Sequence, residues 1–295
     1  MRTIFLSLLF SFHLATHAQE KPIVIPFELT KFNNLSIKAV LNGQDTAYLM
    51  FHTAASSVTL IEESIKRMTS LHFTGVDTVK SWGGSENTAR FSPGNTLQIG
   101  ELSWEKVPIW ENKNSGPGTD GKIGTDLFKD KVIEIDFDKN RILLYTSLPV
   151  KSKRFTKLKT TFNNEMLFVE ATCNIGSDTI SNRFLIHSGY SGGILFDDRF
   201  VAAHKLNEKL QVIDTKELKD SYGNILKTRK AILPGFTLGN KTLSNAQAGF
   251  FEGAIGRQKM SIIGGDILRR FNIIIDAQRT FIYLRPNKWH NAPYS

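Results

Sequence analysis

Cysteine is nearly absent, with Cys173 the one thiol in 295 residues. An intrachain disulfide is therefore excluded, no cysteine stands near the N-terminus to carry a lipid, and stability has to come from packing. Long hydrophobic runs are missing too. The N-terminal run Ile4 to Phe10, behind Arg2, is too short to cross a bilayer and leads to the small residues around Ala18. That pattern predicts a secretory signal over residues 1–18 with the cut after Ala18, hence an exported protein, periplasmic or extracellular, with no membrane span. No glycine-rich phosphate loop and no nucleic-acid motif occurs. The formal charge is +9, but lysines and arginines are scattered. The one dense patch, Lys151 to Arg154 with Lys157 and Lys159, reads as a solvated linker, so no nucleic-acid partner is expected.

What is present suits a large buried core: 41% of residues are hydrophobic and 22% charged, in a chain long enough for one large domain or two smaller ones. From Pro22 to Leu41 apolar and polar residues alternate, the period of strands, and Asn42-Gly43 supplies a hairpin turn before a strand from Thr46 to Phe51. Glu62 to Met68 predicts one short helix. Val76 to Phe91 predicts a hairpin with Trp82, Gly83 and Gly84 at its tip. Strands are expected at Leu97 to Gly100 and Val107 to Trp110. A glycine-rich bend, Asp120 to Phe128, leads into one helical turn, and strands follow at Val132 to Phe137 and Arg141 to Tyr145.

The second half repeats this order. Phe51-His52-Thr53-Ala54 and Ile186-His187-Ser188-Gly189 each end an apolar strand in a histidine, a hydroxyl residue and a small residue, with a serine-containing turn beyond. The histidines are 135 positions apart, and Gly124 and Gly264, Asp126 and Asp266, and Asp136 and Asp276 are each 140 apart. Tyr222 and Gly223 take the place of the Trp82 hairpin. Near-constant spacing of four landmarks points to a duplicated unit. The expected architecture is all-β, two homologous lobes with a cleft between them: lobes at 19–148 and 160–288, a basic linker at 149–159 and a tail at 289–295.

An apolar strand ending in one residue, then Thr or Ser, then Gly or Ala and a serine-rich turn, followed about 70 residues on by Ile123-Gly124 or Ile263-Gly264 and a short helix, resembles the aspartic proteases. The likeness runs from about Ile25 to Pro286, and in pattern is nearest to bacterial exported members with pepsin- or retropepsin-like halves. It implies two β-barrel lobes and a peptide or protein segment bound in the cleft. It also implies that Thr53 and Ser188, with Gly189, lock the two turns together. The departure is as specific. Where the family has its two catalytic aspartates this chain has His52 and His187, and Ala54 stands where glycine is usual. The family's chemistry needs two carboxyls sharing one proton, one as base toward water and one as acid toward the carbonyl.

Three readings of the histidine pair stand at this stage. The rings are structural in a pseudoprotease whose cleft binds a peptide; or they hold a metal, although zinc wants three or four ligands and His72, His204 and His290 are not at ligand spacing; or they form a histidine acid-base pair that still hydrolyses peptides. The first is the expectation, with no cofactor and no metal. Asp120, Asp126, Asp266, Asp136 and Asp276 read as turn or cap residues. Ser56, Ser57 and Ser191 follow the turn pattern and lack an orienting acid. Cys173 reads as a buried strand residue. Substrate contact is expected from the hairpin tips, Trp82, Gly83 and Gly84 in one lobe and Tyr222 and Gly223 in the other.

Overall fold

The computed structural model describes residues 21–80, 86–219, 225–251 and 258–295. The expected signal segment and the hairpin tips carrying Trp82, Gly83, Gly84, Tyr222 and Gly223 lie outside these residues. Alternation dictates the strands. Leu35–Leu41 buries Leu35, Ile37, Ala39 and Leu41 and exposes Lys38 between them, and it turns through Asn42 and Gly43 into the strand Asp45–Phe51. Both turn residues have positive φ, 50° and 67°, the backbone that an Asn-Gly hairpin turn supplies at low cost.

Two features join the halves. A central antiparallel sheet sets Val132–Asp136 beside Phe271–Ile275, with Ile133 opposite Ile275 and Ile135 opposite Ile273. Both strands are buried along their whole length and are mostly apolar, with Glu134, Asp136 and Asn272 as the polar residues; the Glu134 carboxylate meets Tyr145 Oη at 2.8 Å and Lys151 Nζ at 2.8 Å. One apolar cluster then runs through both lobes, from Ile25 and Phe27 to Ile282 and Leu284. The basic stretch 149–159 divides. Val150–Arg154 is a 3-10 turn, and Thr156–Asn163 is a strand paired with Phe281–Pro286.

Each lobe then repeats one strand arrangement. Leu49, Met50 and Phe51 pair in parallel with Gly121, Lys122 and Ile123, as Phe184, Leu185 and Ile186 pair with Ser261, Ile262 and Ile263. A third strand closes each set: Val58–Ile61 is antiparallel to Gly121–Ile123, and Ile194–Leu195 antiparallel to Ser261–Ile263. Long antiparallel arms pair Gly75–Lys80 with Glu86–Ile99 and Gln211–Lys219 with Ile225–Leu238. The short helix is present at Glu62–Ile65, while helices at Asp198–His204 and Leu206–Lys209 add to the expected elements.

Candidate functional site

Each histidine leaves its strand at the same point. His52 N donates to Ile123 O at 2.9 Å and His187 N to Ile263 O at 3.0 Å, so the parallel pairing of the strands fixes where the chain turns. The following hydroxyls cross between lobes. Thr53 N donates to Ser188 Oγ (3.0 Å), Ser188 N to Thr53 Oγ1 (3.0 Å), Thr53 Oγ1 to Ile186 O (2.7 Å) and Ser188 Oγ to Phe51 O (2.7 Å). Thr53 is 2% exposed and Ser188 1%. Four mutual bonds between groups cut off from water hold the two turns in register.

That lock brings His52 and His187 together. Their ring centroids are 4.5 Å apart and the planes meet at 61°, edge to face. A Cβ at residue 189 would collide with Cδ2 and Nε2 of His52, so glycine there is what lets the first ring cross the dyad. Ala54 N donates to His52 Nδ1 at 3.1 Å, which makes Nδ1 an acceptor and leaves the proton of the neutral ring on Nε2. His187 differs, for its Nδ1 is buried without a hydrogen-bond partner among the described residues.

Every nearby charge acts against protonation. Burial, the His187 ring and Lys122 hold His52 well below the ordinary imidazole range. Burial, with Lys122 adding, pulls His187 down to about 4, against a backbone hydrogen bond that favours its charged form. The site at neutral pH is thus a pair of uncharged rings. Among the described residues no third histidine, cysteine or carboxylate joins them in a group that could hold a metal.

The other candidates disperse. Asp120 accepts from Tyr48 N (2.8 Å), Ser64 Oγ (2.9 Å) and Arg67, pinning the strand Gly121–Ile123 to its neighbours. Asp136 and Asp276 accept backbone amides of their turns from Lys139 and from Thr280 and Phe281. Asp266 corrects the expectation of a helix cap. Gly264 takes the cap position with no side-chain bond, and Asp266, 1% exposed, pairs instead with Arg269 and with the buried Arg270. The carboxylate sits three and four residues before those arginines, so helix geometry delivers them to it. Cys173 is fully buried in the core, which pushes its thiol up to about 12 and leaves it inert.

Lys122 is the residue that motif reading passed over. Its signal was a cation at an apolar position of the repeat, since the matched residue of the second lobe is Ile262. An open hollow of about 420 Å³ lies further along the same lobe, lined by Tyr48, Ile61, Ser64, Arg67 and Asp120 among others.

No family model matches the sequence, and no curated protein sequence matches it. Solved structures do. The crystal structure of aspartic proteinase from Irpex lacteus superposes on 93% of this chain and 100% of its own, with a TM-score of 0.63 and 14% identity. At that identity the likeness is one of fold, and the fold is the pepsin-like one: all-β and two-lobed, with the paired turns at its centre.

Proposed function

We propose that this chain is an exported, aspartic-protease-like protein that has given up the two-aspartate chemistry and binds an extended peptide or protein segment in the cleft between its lobes. On this reading His52 and His187 take the two aspartate positions, inside a turn lock built by Thr53 and Ser188. The observation that carries it is the state of the pair: two neutral rings in contact, with burial and Lys122 opposing a proton on either.

Peptide hydrolysis by a shared-proton pair needs one group that takes a proton from water and another that gives one to the carbonyl. An imidazole held near 4 is a weak base at neutral pH, and a second imidazole that resists protonation is no acid. The frame for a bound strand remains. Gly75–Lys80 and Gln211–Lys219 are the terminal strands of their sheets, and an extended segment added along such an edge would gain main-chain hydrogen bonds.

The test is a peptide-library cleavage assay from pH 4 to pH 8, with and without added zinc, run beside a binding measurement on the same library. The expected outcome is binding without cleavage. Turnover by the native protein that disappears in His52→Ala would overturn the proposal in favour of a histidine acid-base or metal-assisted hydrolase.

A further inference from the structure

The strand Gly121–Ile123 carries a cation on the face that bears the histidine. Lys122 lies between Met50, its parallel partner, and Thr59, its antiparallel partner. Directly paired residues share a face of the sheet, and alternate residues of one strand do as well. Leu49, Phe51 and Ile123 all face the core at 0% exposure, so Lys122 stands on the opposite face with Met50 and, two residues on, His52. Lys122 is also among the charges that oppose a proton on each imidazole.

The ammonium has no counterion of its own. The Lys122 side chain has no hydrogen bond or ion pair among the described residues, and burial accounts for the lowering of its pKa. The carboxylates nearest in the strands are engaged elsewhere, Asp120 with Arg67 and Glu111 with Arg90. A second polar group on this wall is left incomplete. Asn112, 4% exposed, donates to Thr59 Oγ1 at 2.8 Å and leaves its Oδ1 without a partner. In the other lobe the matched residue Ile262 is buried in an apolar cluster with Phe168, Leu185, Leu195 and Phe251, which shows that this position can be filled by packing alone. Lys122 is half-buried, and a negatively charged ligand would supply the partner that its side chain lacks among the described residues.

We propose that Lys122 anchors a carboxylate subsite on the first lobe's side of the cleft, so that the bound segment presents a carboxylate beside His52. The proposal rests on the reading that the cleft holds an extended segment, and it names the chemistry of that segment: an acidic side chain or a free chain terminus over the two neutral rings.

Fluorescence anisotropy with a positional library of nine-residue peptides tests it, using one set acetylated and amidated at its ends and one with free C-termini. The native protein is expected to favour Asp or Glu over Asn or Gln at one position of the blocked set, or to favour the free-terminus set, which distinguishes the two carboxylate sources. Lys122→Met, which restores apolar character and should fold, is expected to lose at least tenfold in affinity for the acidic peptides alone, and Lys122→Arg to recover most of it. A second measurement is independent of peptide binding. N-acetylglutamate should move the histidine ring proton resonances of the native protein and leave those of Lys122→Met in place, with N-acetylglutamine as control. Peptides bound without acidic preference, and equally by Lys122→Met, would overturn the subsite and leave peptide binding standing. Acid-selective resonance shifts with no peptide bound would do the reverse. Loss of both signals would overturn both.

Discussion

The two histidine turns share their frame and differ in what surrounds the ring. In both, the residue after histidine gives its amide to a hydroxyl of the opposite lobe and its own hydroxyl to a carbonyl there. Around the rings the symmetry ends. His52 has an amide on Nδ1, glycine across the dyad and Lys122 on the adjoining strand; the Nδ1 of His187 has no hydrogen-bond partner among the described residues, and Ile262 takes the place of the lysine. A duplicated scaffold keeps the bonds that both halves need and lets the remaining positions diverge. The divergence is polar in the first lobe and apolar in the second, and so the proposed carboxylate subsite belongs to the first lobe.

The strongest test of the shared part is to break it from each side. Thr53→Val and Ser188→Ala each remove one hydroxyl that both donates and accepts, leaving a buried carbonyl and a buried amide without partners. An unsatisfied buried group costs about 1–3 kcal/mol, so each variant should lose roughly 3 kcal/mol by denaturant midpoint. The four bonds form one network, so the double variant should depart from the sum by about 0.5–3 kcal/mol. Unequal costs would show that the lock is less symmetric than its bonds.

Acid separates the rings next. A base whose pKa is lower in the folded state binds fewer protons there than in the unfolded chain, so stability is full above the unfolded value and falls with pH until the folded value is passed. For His187 that window runs from 6.5 down to about 4, which corresponds to about 3 kcal/mol. His52 is lowered as well, in part by its neighbour, so the pair titrates as a unit. Thermal melts are expected to show a falling Tm from pH 7 to pH 4, with a flatter profile in His187→Gln. A protein that gains stability in this range would contradict the neutral pair.

Much of this arrangement is legible in the chain. The Asn42-Gly43 turn, the strand ends at His52 and His187 and the recurrence of Asp136 at Asp276 are local signals or constant spacings, and the strands follow from alternation. Lys122 was not legible as a neighbour of His52, because 70 positions separate them and their adjacency comes from a parallel pairing that no local pattern announces. Asp266 misled for a different reason. An acidic residue at a helix start reads as a cap, but the cap position is Gly264, two residues before Asp266, and two arginines downstream claim the carboxylate. The helix Asp198–His204 is seven residues long and too short for periodicity to declare. Its cap, with Asp197 accepting from Phe200 N at 2.8 Å, is the one mark it leaves.

The smallest expected effect is the sharpest probe of the asymmetry, since it concerns one methyl group on each side of the dyad. Gly189 lies under His52, and a methyl there would occupy the space of the ring. Gly189→Ala should therefore cost about 1–3 kcal/mol through overpacking and should displace His52, visible as a changed ring resonance. Ala54, its counterpart, already carries a methyl, and that methyl packs on the apolar cluster of the opposite lobe around Phe168 and Ile262. Ala54→Gly removes this contact and loosens the backbone, for a loss of about 1 kcal/mol with both ring resonances nearly unmoved. If the two exchanges cost the same and shift the rings alike, the site is symmetric in practice. The differences between the lobes would then have to be assigned to Lys122 alone.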